Sequence, residues 1–158
     1  MIQNLLITTS IRNWDEQNKR LLSLVNVLNE DQLEKHIAPG RNSGMYLLGH
    51  LTAINYNMIS LFGLGENPQA ELDTIFLINP DKTIPHNYRT DGLKELLIDS
   101  IQLLEEKVKV LTEADWLDRH SNVSAADFKL QPHRNKINVL INRTLHLAYH
   151  YGQFSLLK

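Results

Sequence analysis

Residues 135–158 read NKINVLINRTLHLAYHYGQFSLLK, and the stretch predicts a helix from near Asn135 almost to Lys158. Ile137, Leu140, Ile141 and Ala148 form its strongest apolar arc at 100° per residue. Three more stretches carry helical periodicity. Between about Ile2 and Leu28, Ile7, Ile11, Trp14, Leu21, Leu24, Val25 and Leu28 recur at threes and fours, with Arg12, Asp15, Glu16, Lys19 and Arg20 between them. A second helix opens near Ser43 as N-cap and ends near Gly63 or Gly65. A third starts at Asp91, a good N-cap residue, and runs to about Leu111 with Leu93, Leu96, Leu97, Ile101, Leu104 and Val108 inside. Pro39-Gly40 and Asn42-Ser43-Gly44 mark turns. The loop 66–90, with Pro68, Pro80 and Pro85, is the longest irregular stretch, and Thr74 to Ile78 within it has the composition of a short strand. Residues 112–134 form another connection. Four helices without a convincing set of strands predict one all-α domain over residues 1–158, a four-helix bundle.

The bulk numbers agree with one soluble domain. The chain has 158 residues, 42% hydrophobic and 22% charged, with a net charge of −2. A protein that grips phosphate backbones carries a basic surplus, so nucleic acid is not expected as a partner. With no cysteine, thiolate metal sites, disulfides and a cysteine nucleophile are excluded. Met1 to Ser10 lacks a basic start, and Trp14-Asp15-Glu16 soon brings charge, so a signal peptide is not expected and the cytoplasm is the expected compartment.

Charge is unevenly spread. Asn42 through Gly65 contains no Asp, Glu, Lys or Arg, and neither does Thr144 through Leu157. Solvated helix faces carry such residues, so both helices are expected to show little surface to bulk water. The second helix is too often interrupted by Asn42, Ser43, Thr52, Asn55, Asn57 and Ser60 to span a membrane. A second copy of the chain covering it would make a homodimer.

These two helices carry His50, His146 and His150. His146 and His150 share a helix face at i, i+4, where two imidazoles can reach one ion, and a third histidine from a facing helix leaves an open position for water. On a helical wheel they lie beside Val139, Asn142, Gln153 and Leu157, away from the apolar arc. That strip is either a wet groove or the outer face of the bundle, and the charge-free run favours the groove. A lone histidine on an apolar helix is usually structural, and a bare H-x-x-x-H arises by chance; the combination on two charge-free helices is what points to a metal. Leu147 replaces the Glu of a zincin H-E-x-x-H, and the second helix lacks the carboxylate of a di-iron bundle.

Two stretches carry a family resemblance. Ala38-Pro39-Gly40-Arg41-Asn42-Ser43 leads to Leu48-Gly49-His50-Leu51, and His146-Leu147-Ala148-Tyr149-His150-Tyr151-Gly152-Gln153 closes the chain. In these the sequence resembles the DinB-like superfamily, four-helix bundles related to damage-inducible bacterial proteins, over its whole length. The resemblance implies one divalent metal ion, zinc or nickel, on His50, His146 and His150. Many members place Arg between the second motif histidine and Gly, where this chain has Tyr151. Members with known activities include bacillithiol S-transferases and a mycothiol-dependent maleylpyruvate isomerase; others are classed as hydrolases, and many have no assigned reaction.

The expectation is therefore a metal-dependent enzyme acting on a small molecule, a hydrolase or a transferase using a low-molecular-weight thiol, whose catalytic residues the sequence does not name. Ser43, Tyr46, Ile54 and Asn57 share the side of His50; Tyr46 and Asn57 are candidate pocket residues, and Gln153 a candidate partner of a ligand histidine, with packing or capping the alternative role for each. His86, on the long loop, is a general-base candidate by residue type alone. The competing expectation is a non-catalytic helical module, for ligand binding or stress response, with the histidines as polar pocket residues. A structural metal fits less well, because structural zinc is usually closed by four protein ligands.

Overall fold

In a computed structural model describing residues 2–158, the chain is all-α. Four long helices dominate: α1 (Ile2–Val27), α3 (Gly44–Leu61), α5 (Thr90–Val108) and α8 (Lys136–Phe154). Short helices fill the connections: α2 (Glu30–Glu34), α4 (Glu71–Asp73), α6 (Glu113–Leu117) and α7 (Ala125–Leu130). α1 packs along α8 and α3 along α5, while α1 with α5 and α3 with α8 close the arrangement. One apolar core runs through all four: Leu21 and Val25 of α1, Leu48 and Met58 of α3, Leu93 and Leu97 of α5, Leu140 and Phe154 of α8. No described helix is long and apolar enough to cross a membrane.

Helix starts follow local chemistry. The Ser43 side chain accepts from the Tyr46 N–H at the head of α3, and Asn135 accepts from the Asn138 N–H at the head of α8. α5 departs from expectation. It begins one residue before Asp91, with Arg89 at the cap and no side-chain capping bond. Thr90 is drawn into the core, and the exposed Asp91 stands in the first turn, where its charge favours the helix N-terminus without capping it.

Residues 74–78 are not a strand. They continue α4 as a π-helical turn, Thr74–Ile78, which packs on α3 and buries Phe76. Thr74 and Ile78 face outward, Phe76 points at α3, and no neighbouring strand exists among the described residues to take up extended backbone.

The charge-free runs have two different explanations. α3 is enclosed by α5, α8, α2 and the π turn, so its lack of charge is accounted for within the chain. α8 is not enclosed. Its inner side buries Ile137, Leu140, Leu147, His150 and Phe154, but Leu145 and Tyr149 remain 64% and 63% exposed. Ile141 and Ala148, members of the strongest apolar arc, also lie outside. The expectation that α8 shows little surface therefore fails: packing on α1 and α3 covers one side only, and a charge-free apolar stripe faces outward.

Candidate metal centre

α3 and α8 meet where His50 faces His146 and His150. His146 Nε2 lies 3.3 Å from His50 Nε2 and 2.9 Å from His150 Nε2. One ligand nitrogen from each of the three falls within 4.8 Å of the others, a group that could hold a metal ion. Two nitrogens at about 2.0–2.1 Å from a tetrahedral ion stand about 3.3 Å apart, so the His50–His146 spacing matches and the His146–His150 spacing is slightly tighter.

The hydrogen bonds behind the rings fix which nitrogen faces the centre. His50 Nδ1 is 2.9 Å from the Phe76 carbonyl oxygen, which can only accept. His50 therefore carries its proton on Nδ1 and presents a lone pair at Nε2. His150 Nδ1 is 2.6 Å from Gln153 Oε1, and the Gln153 amide is oriented by its Nε2 donating to Tyr149 Oη at 3.1 Å. His150 Nε2 is likewise a lone pair. His146 Nδ1 is buried without a partner, so this ring alone lacks an orienting bond. Two obligate lone pairs and a third ring nitrogen thus converge, an arrangement that calls for a cation or a shared proton at its centre.

The electrostatics keep the rings neutral. Burial pushes His146 down to about 4, helped by His150, His50 and Arg143. Burial also pushes His150 down to about 4, against the opposing hydrogen bond that its Nδ1–H donates to Gln153. His50 is lowered by burial and by Arg143, against the opposing Phe76 carbonyl. Neutral imidazole is the ligand form, so nothing need be deprotonated for an ion to bind near pH 7.

Phe76 reaches His50 because of Gly49. A Cβ at position 49 would sit 2.5 Å from the Phe76 ring, so the ring occupies the space that any other residue would fill. The contact belongs to a longer pattern. Along one face of α3, the Ser43 N–H donates to Asp81, Tyr46 Oη donates to the Asn79 carbonyl, His50 to the Phe76 carbonyl, and Asn57 Nδ2 to Asp73. The partners run backwards through the loop as α3 runs forwards. Ser43, Tyr46 and Asn57, three of the residues expected to share the side of His50, do so, but this side is fastened to loop 66–90.

Tyr46 accordingly stacks near His50, with ring centroids 6.3 Å apart, and its hydroxyl is spent on Asn79. Asn57 pairs with Asp73 and accepts from Asn67, away from the histidine centre. Gln153 sits behind His150. His86 packs on Phe76 and Tyr88 and contacts none of the three histidines. No carboxylate among the described residues hydrogen-bonds to the three rings. A cleft of about 220 Å³ beside His150 is lined by Arg41, Leu47, Tyr149 and Gln153. A larger cavity, about 510 Å³, lies around Trp14 and Glu105 with none of the histidines in its wall. Sequence reading did not find Phe76, which acts through a carbonyl that every residue has. Neither a family model nor a curated protein matches this sequence.

Proposed function

We propose that the chain is a DinB-like four-helix bundle that holds one divalent ion, zinc or nickel, on His50, His146 and His150, and that it acts as a hydrolase or low-molecular-weight-thiol transferase. The observation that carries this reading is the convergence of the three ring nitrogens with two of the rings held from behind by acceptors, the Phe76 carbonyl and Gln153 Oε1. Metal-ligand histidines are held in this manner. A bound ion with three protein ligands supplies Lewis acidity at its open position, lowering the pKa of a water or thiol there toward neutrality.

The chain's own residues hold and orient. Phe76 and Gln153 keep protons on Nδ1 of His50 and His150, so both Nε2 lone pairs stay directed at the centre. His150 is buried and lines the cleft of about 220 Å³, while His50 and His146 are half-buried. With no cysteine in the chain, a thiol nucleophile would come from a cosubstrate.

The test is metal content. Protein purified without a histidine tag, and the His146→Ala and His150→Ala variants, are reloaded with zinc or nickel and measured by mass spectrometry. Near-stoichiometric metal in the native chain and its loss in both variants is the expected result. No uptake by the native chain would overturn the reading and leave a ligand-binding module.

A further inference from the structure

The cleft of about 220 Å³ beside His150 lies between the turn that follows α2 and the end of α8. The turn contributes Arg41, and α8 contributes Tyr149 and Gln153. Ile37 and Leu47 supply an apolar part, and His150 belongs both to this wall and to the histidine cluster. Among the described residues, Arg41 is the one charged residue in the wall.

The Arg41 backbone is fixed by its turn. Its N–H donates to the Ala38 carbonyl at 3.0 Å, and its own carbonyl accepts from His36 Nδ1. The Ile37 N–H donates to the Asn42 carbonyl at 3.0 Å, and Gly40 takes a φ of +71°, a conformation that costs glycine little. The guanidinium makes no hydrogen bond or ion pair among the described residues; the ion pairs are Arg12–Glu16, Lys19–Asp15, Lys109–Glu106 and Lys136–Asp118. An exposed arginine without a partner is ordinary by itself. Arg41 is singled out because it shares a cavity with a candidate metal ligand.

On the α8 wall, Tyr149 Oη accepts from Gln153 Nε2 at 3.1 Å, and its O–H proton donates to no described group. The cleft thus offers a guanidinium fork and a hydroxyl proton, with no carboxylate in its wall to occupy them. One unopposed positive charge matches a singly charged anion, and the planar fork fits a carboxylate.

We propose that this cleft is a carboxylate subsite of the histidine centre, in which Arg41 and the Tyr149 hydroxyl hold the carboxylate of a small substrate whose other end enters the open metal position. The proposal rests on the three-histidine reading and adds the substrate class to it.

The test uses the full chain loaded with cobalt(II), whose absorption reports an arriving thiolate. 3-Mercaptopropionate and 3-mercapto-1-propanol are titrated in turn; they share a thiol and a three-carbon chain and differ in the carboxylate. The native protein is expected to prefer mercaptopropionate. Arg41→Gln should lower that preference by roughly fivefold, a modest factor because Arg41 stays partly in water. Arg41→Lys, which keeps the charge and loses the fork, should fall between, and Tyr149→Phe should lower the preference with Arg41 in place. Comparing the ratio of the two affinities across variants cancels the intrinsic difference between the thiols and any chelation by the carboxylate. Arg12→Gln removes the same charge from an exposed position on α1 and should leave the ratio at its native value. An unchanged ratio in Arg41→Gln with cobalt bound, or an equal loss in Arg12→Gln, would overturn the subsite and leave the metal site standing. Failure of the native chain to take up cobalt would overturn both.

Discussion

His50 and Phe76 meet in two ways at once: the Phe76 carbonyl holds His50 Nδ1 at 2.9 Å, and the Phe76 ring lies on the bare backbone of Gly49 next door. A helix position, a π turn and one missing side chain together set the direction of a candidate ligand.

Gly49→Ala should damage the site from outside it. Alanine returns about 1 kcal/mol of helix propensity. Displacing a ring that is 1% exposed costs about 1–3 kcal/mol by overpacking. A net loss on the order of 1 kcal/mol is expected in urea unfolding. As the carbonyl moves off His50, zinc affinity in a competition assay should fall about tenfold.

Gln153→Leu removes the acceptor behind His150 and leaves the ring's Nδ1 proton unpaired. Zinc affinity is expected to drop about 10–100-fold with the fold intact by circular dichroism. Gln153→Glu keeps an acceptor and should retain most of the affinity. Equal losses in both variants would show that Gln153 acts through packing.

Asn57→Ala should separate the loop contacts from the metal centre. The variant loses the bond to Asp73 and is expected to cost about 0.5–1.5 kcal/mol of stability. Loop 66–90 should become more open to protease. Zinc affinity should stay within about threefold of native, because Asn57 touches none of the histidines.

Acid should destabilise the metal-free protein through two of these rings. His146 and His150 titrate at about 4 in the fold, against 6.5 ordinarily. Between these values the unfolded chain binds more protons, so stability rises with pH across the window and is lost as pH falls from 6.5 toward 4. Denaturant midpoints at pH 4.5, 5.5 and 7.5, with chelator present, should show this loss. The His146→Gln, His150→Gln double variant should show a shallower one.

The helices were legible because a helix is a local object. Periodicity located all four long helices to within a few residues, and Ser43 and Asn135 were readable as caps from their own turns. His146 and His150 could be placed on one face by spacing alone, and absence of charge marked α3 as enclosed. Other features depended on what packs against what. A lack of charge from Thr144 onward could not say that α8 turns part of that run outward, since that depends on which neighbours cover it. Nor could periodicity assign Thr74–Ile78 to a π turn, because burial of Phe76 over Gly49 is a contact between segments 27 residues apart. The tertiary structure alone decided that the side of α3 shared by Ser43, Tyr46, His50 and Asn57 is fastened to a loop. Sequence carries each residue's hydrogen-bonding capacity and charge; only folding determines which partner satisfies them and which group is left without one.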